Sequence, residues 1–238
     1  MEINQILKQV YKLDKESLKN YFQELDFINV VYCKELYKKK YFSKKEIDKI
    51  LKISHELKKN NYKSLIKTNY KRGYYFEYEN FLKKRIGISI SGKIHIGRSR
   101  NDLEATILKF IFKKKIFRIL FKQNNLLSYI NKKFYSDKTL FPFYTQNQFA
   151  CFLTPQHYFN SNILSFVDYQ KKILNNQNFI NECPIGACGL DGSSISLDYK
   201  SISKKLNFKK LQLNSHRSVS DYEYQLSFVN DLNLFVIK

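Results

Sequence analysis

In 238 residues the sequence has no tryptophan, one methionine, three prolines and seven glycines, and basic side chains outnumber acidic ones 42 to 21. Each shortage excludes something. The four cysteines, Cys33, Cys151, Cys183 and Cys188, are too widely spaced for a zinc signature, and only the last two are close, with four residues between them. They are read as reduced thiols holding no metal. His55, His95, His157 and His216 also fall at no metal-ligand spacing, and each is expected on the surface or on a helix face. No run reaches the roughly 18 to 20 uninterrupted apolar residues of a membrane span. The lysine-containing, acidic N-terminus lacks a secretory hydrophobic region, so the expectation is a cytoplasmic protein with no membrane partner.

The scarcity of acidic groups leaves a formal net charge of +21, which invites a nucleic-acid reading. The distribution of the charge argues against it. The lysines occur in short groups over the whole chain, such as Lys38 to Lys40 and Lys113 to Lys115, and form no single stripe or tail. Lys, Asn, Ile, Phe and Tyr are abundant throughout, the composition expected where AT-rich codons are favoured. The 18 tyrosines and 20 phenylalanines could stack on bases, yet they sit mainly at apolar helix positions. Solvated helix faces account for the lysines.

With few residues to interrupt it, the chain is dominated by the helical period. Between residues 15 and 60, Leu18, Phe22, Leu25 and Ile28, then Ile47, Ile50, Leu51 and Ile53, recur at helical spacing. Ser43 is placed to cap the helix that opens with Lys44, Lys45 and Glu46. From Leu103 to about Phe134 there is no Gly or Pro, and Leu103, Ile107, Phe110, Phe117, Leu120 and Leu127 predict one rod roughly 45 to 50 Å long. A second long helix is predicted from Thr154, with Pro155 in its first position, to about Leu174, and a third from near Ser218 to the last residue. The fold class is all-α, a bundle of long, nearly antiparallel helices.

Because glycine is scarce, its positions carry information. Gly87, Gly92 and Gly97 surround one segment, and Gly186, Gly189 and Gly192 lie in a second, Cys183 to Asp198, CPIGACGLDGSSISLD. The first contains the run Gly97, Arg98, Ser99, Arg100, Asn101, Asp102 just before the longest predicted helix. This has the makings of an anion site. Asn101 or Asp102 can cap the helix, whose first N–H groups carry the positive end of the macrodipole, and Arg98 and Arg100 add planar forks that match a carboxylate. An ordinary capped helix beside solvated arginines is the alternative at this point.

The run GKIHIGRSRND, Gly92 to Asp102, resembles the pattern of argininosuccinate lyase, a member of the fumarase and aspartase superfamily that includes the δ-crystallins. Three more segments follow in that family's order. Pro142, Tyr144, Thr145 and Gln148 resemble PGYTHLQ; Pro184 to Asp198 resembles PLGSGALAGTTFPID; Asn214, Ser215, Val219, Ser220 and Asp221 resemble NSxDAVSDRDF. The resemblance covers about residue 15 to the end. It implies an N-terminal helical domain over residues 1–98 and, over 99–238, part of a central long-helix bundle. It also implies the reversible elimination of argininosuccinate to arginine and fumarate in arginine biosynthesis, with no metal or organic cofactor.

In that reaction a proton leaves the carbon beside a carboxylate, so negative charge builds on the carboxylate in the transition state. By resemblance, Ser99, Arg100 and Asn101 at a helix start bind that group, Thr145 bonds the same region of substrate, and Asn214 comes from another long helix. The family site forms where three subunits of a tetramer meet, so a homo-oligomer is implied.

The departures are specific. The family's histidine falls on Gln146, which hydrogen-bonds but is no acid or base near neutral pH. An early-helix serine falls on Val30, and the aspartate of NSxDA on Arg217. The catalytic serine of the family's mobile loop, in GSSxMPxKxNP, lies beyond residue 238; Gly192 to Ile195 imitate its start, but Ser196 and Leu197 stand where Met and Pro belong. Family members are about twice this length. The apolar last residues predict an end inside a bundle helix, and a separately encoded second half is a possible partner. A lyase in reduced form and a non-catalytic scaffold remnant both fit.

Overall fold

The computed structural model describes residues 14–66, 73–175 and 177–236. Contacts divide the chain into two units: residues 1–111 with 181–221, and residues 112–180 with 222–238. The expected division after residue 98 marks the turn before the longest helix, whereas the contacts change partners inside that helix.

The first unit opens with α1, Lys15–Lys38, capped by Asp14, whose carboxylate accepts the Ser17 N–H at 2.8 Å. Leu18, Phe22, Leu25, Ile28, Tyr32 and Leu36 recur every three or four residues and are all buried, so one face of α1 is the spine of the core. Helix α2, Lys44–Lys59, begins with the capping box anticipated at Ser43 and Glu46 and adds Ile47, Ile50, Ile53 and Leu57 to the same core. Then come α3, Lys63–Ile66, α4, Tyr74–Ile86, and α5, Ile88–Lys93. The first part of α6, Arg100–Phe134, packs Leu103, Ile107 and Phe110 into this core.

The second unit contains the rest of α6, a hairpin of β1, Phe141–Thr145, and β2, Gln148–Leu153, then α7, Pro155–Asn175, and α8, Gln177–Ile180. Its core is Ile116, Leu120, Ile173, Ile180, Tyr224 and Phe228. The chain next returns to the first unit, where β3, Glu182–Cys183, pairs in parallel with β4, Lys210–Leu211, around α9, Tyr199–Lys205. It closes with α10, Ser215–Ser220, and α11, Glu223–Val236. The helix expected from Ser218 onward is therefore two helices, broken at Asp221, whose φ and ψ of −84° and 110° are extended.

The all-α expectation holds: the described residues are predominantly helical, and the strands form two small pairs. The hairpin is an addition to that picture. Gln146 and Asn147, at φ 49° and 63°, are both left-handed, the two-residue turn whose twist matches antiparallel strands. No described helix is long and apolar enough to cross a membrane.

One buried carboxylate ties the helices of the first unit together. Asp26 on α1 accepts hydrogen bonds from Ser54 of α2 at 2.7 Å, Tyr78 of α4 at 2.9 Å and Tyr62, just before α3, at 3.2 Å. Burial raises its pKa, while the hydroxyl donors oppose that shift. Asp26→Ala strands those hydroxyls and is expected to lower stability by about 2–5 kcal/mol. Asp168→Ala, which removes an exposed pair with Lys171, is expected to cost under about 1 kcal/mol. Urea unfolding of the two variants measures both.

Candidate active site

The anion motif is a left-handed turn feeding a helix start. Gly97 sits at φ 72°, and a Cβ placed there would lie 2.9 Å from the Ile195 Cβ, so both the backbone angle and the space require glycine. Ser99 caps α6: its Oγ accepts the Asn101 N–H at 3.2 Å and its carbonyl accepts the Leu103 N–H at 3.4 Å. Asn101 and Asp102, expected as caps, lie inside the first turn instead, because the helix begins two or three residues earlier than those caps imply.

The two arginines separate. Arg98 is buried; its Nη2 donates to Asn29 Oδ1, and its guanidinium lies 4.5 Å from the centroid of the Tyr32 ring. It is a structural cation rather than the second fork of an exposed anion site. Arg100 is exposed, with its guanidinium 4.5 Å from the centroid of the Phe76 ring of α4. Stacking restrains the planar group and leaves its edge N–H donors to meet a carboxylate. Exposed Asn101 and half-buried Ser99 flank it at the positive end of a 35-residue helix. The capping role of Ser99 uses only its acceptor, leaving the O–H to donate.

The glycine-rich segment 183–198 lies against this turn. Asp102, fully buried, accepts the Gly186 N–H at 3.1 Å and the Cys188 N–H at 3.0 Å on Oδ2. The Gly97 carbonyl accepts from Cys188 Sγ at 3.3 Å and from Tyr199 Oη at 3.2 Å. Asn214 is exposed and caps α10 by accepting the Arg217 N–H at 2.8 Å, so it stands at the start of a six-residue helix rather than on a long one. Next to it, Ser215 Oγ donates to the Leu190 carbonyl of the glycine-rich segment. Within the first unit, then, three of the four matched segments are linked by hydrogen bonds.

The fourth segment belongs to the second unit. Thr145 ends β1 opposite Gln148, and Gln146, exposed, is the first residue of the tight turn. Val30 is partly buried on α1, and Arg217 pairs with Asp221 at 3.2 Å. Phe76 is the member of the site that sequence reading did not assign, and Asp102, expected as a cap, holds the glycine-rich segment instead. The third-residue position of Asp102 in the helix was a signal; Phe76 had none, being 24 residues from the arginine it supports. Among the described residues no group of His, Cys, Asp or Glu is arranged to hold a metal.

Comparison with known proteins settles the family. The family described as lyase matches residues 1–238, and this chain belongs to it, within the fumarase and aspartase superfamily. An argininosuccinate lyase of Clostridium acetobutylicum is 30% identical over 210 residues, covering 87% of this chain and 47% of that protein. An EDDS lyase structure matches the fold with a TM-score of 0.79 at 24% identity, over 93% of this chain and 43% of the other. A class II fumarase of Schistosoma mansoni gives a TM-score of 0.75 at 14% identity, over 90% and 53%. The chain spans about half the length of these relatives.

Burial and the two arginines of the turn act together on a neighbouring histidine. His95, three residues before Arg98, accepts from or donates to Tyr75 Oη through Nδ1 at 2.8 Å. It is partly buried in a turn, not on a helix face. Burial, then Arg98 and Arg100, push its pKa down to about 4, so the imidazole is neutral at pH 7. The unfolded chain binds a proton here near pH 6.5 and the folded chain near 4, so this residue's contribution to stability is complete above 6.5 and declines as pH falls toward 4. An NMR titration of the His95 ring is expected to show its midpoint near pH 4; a midpoint at the ordinary histidine value contradicts the burial and the charge assignment.

Proposed function

We propose that this chain carries the carboxylate-binding part of an argininosuccinate lyase, which eliminates arginine from argininosuccinate to leave fumarate, in the cytoplasm and in arginine biosynthesis. The supporting observation is the exposed Arg100 guanidinium, stacked on Phe76 at the start of a 35-residue helix. Charge gathers on the substrate carboxylate as the neighbouring carbon loses its proton. A fixed cation, the helix N-terminus, the Ser99 hydroxyl and the Asn101 amide together stabilise that charge more than they stabilise the ground state. Thr145 and Asn214 bind other parts of the substrate in this reading.

The proton itself has to be moved by another group. Gln146, in the position of the family histidine, cannot carry it near neutral pH. The loop serine has no counterpart among the 238 residues. We assign both roles to residues supplied in an oligomer or by a second polypeptide. The second unit supports such an assembly: Phe117, Phe121, Phe149, Phe152, Leu164 and Leu226 are all exposed, although they are large and apolar. The substitution at Gln146 also favours a second reading, a scaffold that binds without turnover.

Fumarate release from argininosuccinate, followed by ultraviolet absorbance, separates the two. Release above the no-enzyme control supports a working lyase; fumarate binding without release supports the scaffold. In either case Arg100→Ala is expected to weaken fumarate binding at least about tenfold by calorimetry, the loss of one charge-assisted pair. Unchanged affinity removes the site from Arg100.

A further inference from the structure

The turn and the glycine-rich segment, with contacts 84 to 102 residues apart in sequence, meet at three kinds of contact. Backbone N–H groups of Gly186 and Cys188 reach one carboxylate oxygen of Asp102. Cys188 and Tyr199 hydrogen-bond the Gly97 carbonyl. Ile195 fills the space in which a side chain at residue 97 would stand. Gly186, at φ 101°, is equally committed: a Cβ there would lie 2.6 Å from the Tyr199 ring, so the loop comes as close as its backbone permits. Cys188, at φ 52°, holds a left-handed conformation that is uncommon outside glycine, asparagine and aspartate. Such a backbone persists when surrounding contacts impose it.

Asp102 reaches the glycine-rich segment from inside the helix. It is the third residue of α6, directly after Arg100 and Asn101, and is fully buried. The geometry points to Asp102 as a positioning residue: by holding the Gly186–Cys188 backbone on Oδ2 it seats the glycine-rich segment against Gly97–Asn101 and so sets the direction in which Ser99, Arg100 and Asn101 present their donors. This rests on the reading that those three residues bind a carboxylate. Asp102 does not itself touch substrate, because it is buried beneath the turn.

The chemistry of the latch separates it from a charge effect. Arg98 is the cation near Asp102, and a carboxylate there also balances its charge. Both loop N–H groups reach the same oxygen, so an asparagine can place its amide oxygen there and keep both loop bonds while losing the charge and the interaction with the Ser99 N–H. A leucine of similar size keeps neither. If the latch acts through its hydrogen bonds, Asp102→Asn resembles the wild type and Asp102→Leu does not.

The test uses the full chain and two readouts, hydrogen exchange of the peptide spanning residues 184–192 and fumarate affinity by calorimetry. Asp102→Leu is expected to raise exchange in that peptide and to weaken fumarate binding, each by about tenfold, the effect of one ordinary hydrogen bond. Asp102→Asn is expected to stay within about threefold of wild type in both, a rescue that a purely electrostatic role does not permit. Should Asp102→Leu fail to fold, Asp102→Ser, too short to reach the loop, carries the same expectation. Wild-type exchange and affinity in the leucine or serine variant overturn the inference. So does an asparagine variant as damaged as the leucine one. If the wild type binds no fumarate while exchange follows the expected pattern, the latch stands and the proposed substrate falls.

Discussion

Arg98 carries a full positive charge inside the first unit with 5% of its surface exposed. Such a group is costly to bury unless its surroundings answer it. Here the answer comes from two helices at once: Asn29 and Tyr32 of α1 provide an acceptor and a ring face, and Asp102 of α6 provides a nearby negative charge. Tyr32 also donates to the Ile96 carbonyl at 2.9 Å, fastening the approach to the turn. The spine helix, the glycine turn and the start of the long helix therefore meet around a single buried guanidinium, of which only Nη2 has a hydrogen-bond acceptor.

That arrangement divides labour between two arginines two residues apart. Arg98 is spent on structure, and Arg100 is left at the surface. The left-handed Gly97 and the helix start between them make the divergence possible, since successive residues leave the turn in different directions. Burial in the same place raises the Asp102 pKa to about 6 and lowers that of His95 to about 4. Both shifts have desolvation as their first cause, acting on groups of opposite charge type.

Much of this was legible beforehand. Local signals sufficed for the Ser43 capping box, the Pro155 helix start and the uninterrupted helix ending at Phe134, because each depends on neighbours three or four residues away. The motif order located the turn and the glycine-rich segment. The break at Asp221 was missed because apolar residues continue on both sides of it, and periodicity does not see one residue turning extended. The hairpin was missed because its turn is Gln146–Asn147, without glycine. The two cap assignments at residues 101 and 102 missed by two and three positions, the ordinary precision of a helix boundary read from sequence.

The sequence by itself determined the family, the helical class and the identity of the polar residues at the anion turn, since these rest on residue type, order and local spacing. Only the tertiary structure decided which arginine is buried, that Asp102 faces inward to hold a backbone 84 residues away, and that Phe76 lies beside Arg100. Those outcomes depend on contacts between residues distant in the chain. Burial there, rather than residue type, sets what a charge can do.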